Sequence, residues 1–222
     1  MIDIDKIYCE DCLEGMKRID DGAVDCVCTD IPYNEVNRTD NGLRNLDKKS
    51  ADIGMFDVAE LTRTLCAKSK GSVYMFCGIN QVSDIRRTMS ECNLSTRLLI
   101  WEKTNPSPMN GDKIWLSGIE CCVYGKKSGA VFNEFCKNTV FRYPSGDSNL
   151  HPTQKPLTLI RRLVLASTEP GGVVLDPFIG SGTTAVAALM EKRHFIGFET
   201  NKEYFDIAQG RIDEVLRNPT LF

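Results

Sequence analysis

Apolar positions along this chain fall into two patterns that take turns from one end to the other. Short runs, "KIYC" (6–9), "VDCVCT" (24–29), "GSVYMFCG" (71–78), "GGVVLDPF" (171–178) and "HFIGFE" (194–199), read as strands. The mostly apolar ones suit a parallel sheet covered on both faces. Between them, apolar residues recur at helical spacing. Leu13, Met16 and Ile19 mark one such stretch in "EDCLEGMKRI", and an amphipathic helix follows the 71–78 strand to about Cys92. Leu157, Ile160, Leu163 and Val164 stripe "PLTLIRRLVLAS" (156–167), with Pro156 placed for a first helical turn. "GTTAVAALMEK" predicts a helix of small residues. Phe205, Ala208, Ile212 and Val215 define the apolar face of a last helix from about Asn201 to Leu216.

"STRLLIWEK" (95–103) and "IECCVYGKK" (119–127) flank a Pro/Asn/Gly-rich stretch and predict an antiparallel pair. Residues 34–54 are polar and lack an apolar period, which predicts a long mobile loop of the kind that often carries function. Residues 128–155 show little regular pattern. Strands alternating with helices predict an α/β fold: a doubly wound, mostly parallel open sheet with an antiparallel edge pair and helices on both sides. A chain of 222 residues suits one large domain, here 1–222, and can bury a full core.

Composition changes this picture little. The hydrophobic share is 42% and the charged share 26%, ordinary for a globular protein. No stretch approaches the ~18 apolar residues of a membrane span. The start of the chain, "MIDIDKIYCEDC", lacks a signal-peptide pattern, so a cytoplasmic location is expected. Net charge is −3, so a polyanionic partner would have to meet local basic groups such as Arg38, Arg44, Lys48 or Lys103. "CEDC" (9–12) has metal-ligand spacing, but no second pair or nearby His completes a zinc set. Most of the ten cysteines read as small buried hydrophobes, unpaired in a reducing compartment.

Two stretches carry chemistry. In "VVLDPFIGSGTTAVAAL" (173–189) a strand ends at Asp176, Gly180 and Gly182 make a tight turn, and a helix follows whose first N–H groups have no helical partner. Glu199 closes the next strand, where acids bind ribose hydroxyls in dinucleotide folds. An ATP loop would need a lysine after the turn, and none follows. A nicotinamide site matches in part, with Ala185 at the third glycine position. S-adenosylmethionine also fits: it has no phosphates, and a carboxylate at position 176 suits a cation while repelling a pyrophosphate. The second stretch, "VDCVCTDIPYN" (24–34), ends an apolar strand in Asp30 and a proline-stiffened turn that presents Tyr33.

Together these stretches resemble an S-adenosylmethionine-dependent DNA amino-methyltransferase of the β group. "DPFIGSGTT" is similar to that family's cofactor motif and "TDIPY" to its catalytic motif, in the permuted order of the group. "EDCLEGMKRIDDGAVDCVCTD", "WEKTNPSP" (101–108), "HPTQKPLTLIRRLV" (151–164) and "RHFIGFETNKEYFDIAQGRI" (193–212) agree with it as well. The resemblance implies a Rossmann-like methyltransferase fold, S-adenosylmethionine as donor, S-adenosylhomocysteine as product and no metal. It implies cofactor roles for Asp11, Cys12, Thr153, Lys155, Asp176, Phe178, Gly180, Ser181, Gly182, Thr183, Thr184 and Glu199. Asp11 is equally placed to cap the first helix, and Phe178 to pack in the core.

Catalysis is implied at Asp30, Ile31, Pro32 and Tyr33. A nucleobase amine is a poor nucleophile because its lone pair is delocalised into the ring. The Asp30 carboxylate and the Ile31 carbonyl would grip its two N–H groups and draw the nitrogen toward a tetrahedral state. Tyr33 would stack on a base flipped out of the duplex. Ile31 stands where the family most often has proline; the acceptor is a main-chain oxygen, which isoleucine also has. Lys103 and Asn105 are implied at the target base, and 34–54 and 128–150 are candidate target-recognition segments. Asp at position 30 associates with adenine N6 rather than cytosine N4. DNA is the implied partner; a homodimer, a cognate restriction endonuclease and an RNA substrate stay open. So do a non-catalytic S-adenosylmethionine- or DNA-binding protein and a nicotinamide oxidoreductase.

Overall fold

The computed structural model of the chain describes residues 2–33, 57–108, 111–146 and 154–218. Among them eight strands form one sheet, in the spatial order β1 (Lys6–Tyr8), β8 (His194–Phe198), β7 (Val173–Asp176), β2 (Val24–Asp30), β3 (Ser69–Cys77), β5 (Ile119–Lys126), β4 (Ser95–Lys103), β6 (Val140–Tyr143). Only β5 runs against its neighbours; every other pairing is parallel.

Side chains alternate across the central strands and so feed two cores. Val27, Val73 and Met75 meet α1 (Cys12–Met16), α2 (Val58–Lys68) and α3 (Val82–Glu91) on one face. Cys26, Cys28, Tyr74 and Phe76 meet α4 (Leu157–Ser167), α5 (Thr183–Met190) and α6 (Lys202–Arg217) on the other. Cysteine behaves as expected at eight of ten positions, buried or partly buried and free of disulfides; Cys9 and Cys136 are exposed. No helix among the described residues is long and apolar enough to cross a membrane.

Three local features differ from the pattern-based reading. Helix α2 fills a stretch for which no element was expected; Asp57 caps it, accepting from Ala59 N at 2.8 Å and Glu60 N at 3.2 Å. The first helix is shorter than its apolar spacing implies, and i→i+3 bonds from Lys17, Arg18 and Ile19 finish it. Strands β4 and β5 pair antiparallel as expected, with Trp101 opposite Glu120, but they are not the sheet edge. That edge is β6, from a segment read as irregular, which pairs with β4 and receives the Trp101 indole N–H on the Tyr143 carbonyl at 2.9 Å. Its short, half-exposed alternation resembles a loop until β4 is beside it. Segment 34–54 lies outside the described residues, as does part of 128–150.

The topology positions the site. From β7 the chain moves outward through α5 to β8, and from β2 it moves the opposite way through α2 to β3. The connections therefore diverge at the carboxyl ends of β7 and β2, where an open α/β sheet leaves a crevice.

Register between β2 and β3 shifts at Val24–Cys26, and Gly71 lies across that irregularity. A Cβ on Gly71 would sit 2.1 Å from the Asp25 carbonyl oxygen, a backbone atom that cannot turn aside. Gly71→Ala should lower stability by about 1–3 kcal/mol, or several degrees in Tm, in thermal unfolding.

Candidate active site

Strand β7 ends at Asp176, which is 4% exposed, with Oδ1 accepting from Phe178 N at 3.1 Å. Burial raises its carboxyl to about 6, although the neighbouring Thr184 and Thr29 hydroxyls pull the other way. The chain then turns through Gly180 (φ 51°) and Gly182 (φ 84°). Gly182 is required twice over: its φ is left-handed, and a Cβ would lie 3.0 Å from Ala208 Cβ and 3.1 Å from Ala208 Cα. This close approach lets α6 brace the turn that starts α5.

Glu199, just past β8, clamps the same turn. Its two oxygens accept from Gly180 N at 3.1 Å and Asn201 N at 2.7 Å. From α6, the Arg211 guanidinium reaches back to the Ser181 carbonyl, to Ser181 Oγ at 3.2 Å and to Thr183 Oγ1 at 3.3 Å. Ser181 and Thr183 therefore face α6, while Thr184 reaches the Cys28 carbonyl at 3.5 Å. Phe178 is partly buried against the α1–α3 core. Cys12 is buried in that core, its thiol pushed up to about 12 by burial, with Asp11 and Asp176 adding to it. Asp11 caps α1, accepting from Leu13 N at 2.9 Å and Glu14 N at 3.1 Å. Thr153 lies outside the described residues.

One strand away, β2 ends at Asp30. Val27 faces Leu175 in register, which puts Cys28 level with Asp176 and Asp30 two residues further along. Ile31 is buried, and its N–H donates to the Phe76 carbonyl at 3.1 Å. Gln81 holds the turn from the far side, donating to the Pro32 carbonyl at 3.0 Å and accepting from Gly78 N at 2.8 Å. The Tyr33 hydroxyl donates to Asp30 Oδ1 at 2.8 Å.

Charges around Asp30 alternate in sign. Lys155, just before α4, donates to Asp30 Oδ2 and lies 3.1 Å from Glu120 Oε2. Glu120 Oε1 lies 2.7 Å from the Lys103 ammonium, which stands 5.2 Å from the Trp101 ring centroid. Because β5 runs backwards, its Glu120 falls beside the last residues of β3 and β4. Burial raises the Asp30 carboxyl and the Glu120 charge adds to that, while Lys155 and Tyr33 oppose it. Burial works against the Glu120 carboxylate too, but Lys155 and Lys103 prevail and hold it below its ordinary value. Burial alone would favour a neutral Lys155, yet Asp30 and Glu120 override it and keep the ammonium charged.

The arrangement sorts the expected residues. Asp176, Phe178, Gly180–Thr184 and Glu199 gather at the β7–α5 turn, and Asp30–Tyr33 beside them. Lys155, implied with the cofactor set, stands against Asp30, and Lys103 against Glu120. Asn105 ties a loop, accepting from Ser145 N at 2.6 Å. Arg38, Arg44 and Lys48 lie outside the described residues. Glu120, Arg211 and Gln81 were not anticipated. Glu120 left one trace, a lone acid opening an otherwise apolar run; Arg211 and Gln81 look like ordinary helix-surface residues in sequence.

Comparison with known proteins points the same way. Residues 110–210 match the family described as DNA methylase. The chain is 30% identical to the type II methyltransferase M.HinfI of Haemophilus influenzae, covering 94% of this chain and 68% of that one. It is 25% identical to the type II methyltransferase M2.MboI of Moraxella bovis, covering 94% and 88%. In three dimensions it is similar to the crystal structure of an M1.HpyAVI–SAM complex, with a TM-score of 0.73, 29% identity, and coverage of 94% and 98%.

The Asp176 carboxyl titrates near 6 when folded, above its ordinary 3.8. Its contribution to stability is thus full below about pH 4 and is lost as pH rises through about 6, a difference of up to about 3 kcal/mol. Asp176→Asn should make the ligand-free protein more stable than the wild type at pH 7.5, with the gap closing at pH 4, in urea unfolding at both pH values.

Proposed function

This chain belongs to the DNA methylase family, and on that premise we propose that it transfers a methyl group from S-adenosylmethionine to the N6 amine of an adenine extruded from DNA. The observation that carries this reading is the juxtaposition of Asp176 and Asp30 on neighbouring parallel strands, at the divergence of the chain connections. One carboxylate suits a cationic donor; the other suits an amine acceptor.

The residues at the β7–α5 turn fit the donor. Asp176 is a buried carboxylate that a sulfonium and an ammonium would stabilise in its charged form. Glu199, which clamps that turn, would accept from the ribose diol. S-adenosylmethionine supplies, when bound, an electrophilic methyl group on a positively charged sulfur. The protein's task is then positioning, because the displacement is in-line and needs little further chemistry.

Asp30 and the Ile31 carbonyl accept the two amine N–H groups and localise the nitrogen lone pair toward the methyl. As the N–C bond formed, the C–S bond of the bound donor would break and its electron pair would stay on sulfur. The nitrogen then sheds one proton to return to neutrality. Tyr33, held at Asp30 through its hydroxyl, offers a ring against which an extruded base can stack. Adenine is favoured by the aspartate at position 30. Segments 34–54 and 128–150 are the candidates for reading the surrounding sequence. A second copy of the chain and a cognate restriction endonuclease are further candidate partners in the cytoplasm.

Asp30→Ala should cut transfer by about 10²–10⁴-fold while leaving S-adenosylmethionine affinity nearly unchanged. Radiolabelled transfer to unmodified duplex DNA, digested to nucleosides, tests both parts. Label in N6-methyladenine supports the reading, label in N4-methylcytosine corrects the base, and near-normal turnover in the variant overturns it. Donor affinity should also weaken as pH falls through about 6, because the protonated Asp176 no longer attracts a cation. Calorimetric titration from pH 8 to 5 should give a curve that Asp176→Asn flattens.

A further inference from the structure

Both carboxylate oxygens of Asp30 are engaged, Oδ1 by the Tyr33 hydroxyl at 2.8 Å and Oδ2 by the Lys155 ammonium. An amine that donates to Asp30 must displace one of these two donors, and Lys155 is the charged one. It is 7% exposed, and the Phe76 and Tyr33 ring centroids stand 5.3 Å and 5.7 Å from it. Such a cation cannot leave for water without opening the site, so it must keep an anionic partner within reach. One is already in place: Glu120 Oε2 at 3.1 Å.

We infer that Glu120 is a positioning residue that receives Lys155 when the base enters, so that Asp30 can exchange the lysine for the amine without leaving a buried cation unpaired. The inference rests on the methyl-transfer reading. Lys103, 2.7 Å from the other Glu120 oxygen, keeps Glu120 ionised and aimed at this position. The exchange has a second consequence. An Asp30 released from Lys155 is a stronger base than one paired with it. It therefore becomes a better acceptor at the moment the methylated nitrogen must lose its proton. The proton leaves nitrogen, bonds to an Asp30 oxygen, and passes to solvent as product departs.

The groups facing Asp30 come from several elements. They are Tyr33 on the following turn, Lys155 before α4, Glu120 on β5 with Lys103 on β4 behind it, and Asp176 on β7. Cys28 on β2, Cys77 on β3 and Cys122 on β5 lie near enough to feel its charge. Among these, Lys155 and Glu120 push the Asp30 carboxyl in opposite directions, which makes the exchange measurable.

The test compares Glu120→Gln, Lys155→Met, the double variant and Glu120→Asp. Single-turnover transfer to duplex DNA is followed across pH 5–9, and ¹³Cγ-aspartate NMR on the ligand-free proteins follows Asp30, whose line is identified by its loss in Asp30→Asn. Glu120→Gln should slow the transfer step by about tenfold or more and move the Asp30 midpoint down; Lys155→Met should move it up. With Lys155 already removed, Glu120→Gln should add little, and Glu120→Asp should recover part of the rate. Thermal unfolding close to wild type establishes that each variant is folded, and donor affinity close to wild type is a second control for the Glu120 single variants. An unchanged transfer rate in folded Glu120→Gln overturns the inference, and so does an equally large loss from Glu120→Gln in the Lys155→Met background. Absence of transfer by the wild type, in contrast, overturns the methyl-transfer reading itself.

Discussion

The parallel pairing of β2 with β7 is the constraint on which both halves of the site depend. Each strand ends in an acid, and the register leaves those acids two residues apart in height on neighbouring strands. Neither strand can slip by one residue without turning a whole set of core side chains to the wrong face. Cys26 and Cys28 pack toward α4–α6 while Val27 packs toward α1, so the backbone that fills the cores also aims the carboxylates. The spacing of the two carboxylates is thus inherited from hydrophobic packing.

Charge sets the second constraint. Two carboxylates at the end of a buried sheet would neutralise themselves by taking up protons unless the surroundings stabilise the ions. The structure answers differently at each. Asp176 is left with hydroxyls and one backbone N–H, and burial raises its carboxyl to about 6. Asp30 is given a cation directly, Lys155, and that cation is shared with Glu120. Sharing requires a carboxylate at the same edge of the sheet but on a third strand. The reversed direction of β5 meets this need by bringing its first residues beside the last ones of β4 and β3.

The turn between β7 and α5 depends on a different economy, that of space. Glycine at 182 lets Ala208 of α6 come close, and that contact places Arg211 over Ser181 and Thr183. Glu199 then holds Gly180 from the other side. Three successive segments, the turn, the end of β8 and α6, thus brace one rim.

Local pattern by itself determined much of this molecule. The period of the apolar residues located most strands and helices, because burial on both faces of a parallel sheet leaves continuous runs that few other structures need. The two motifs were legible because each combines a strand end, a turn residue of special backbone freedom and a charged group within a few positions. What remained illegible was non-local. The alternation of edge strand β6 spans only four half-exposed residues, and it is a strand because β4 lies beside it. Lys155 reads as one basic residue in a motif, and Glu120 as one acid before a strand, 35 positions apart. Their shared hold on Asp30 exists only once β5 reverses and α4 begins above the sheet. Electrostatic partnership between distant residues has no period, and only the tertiary fold could decide it.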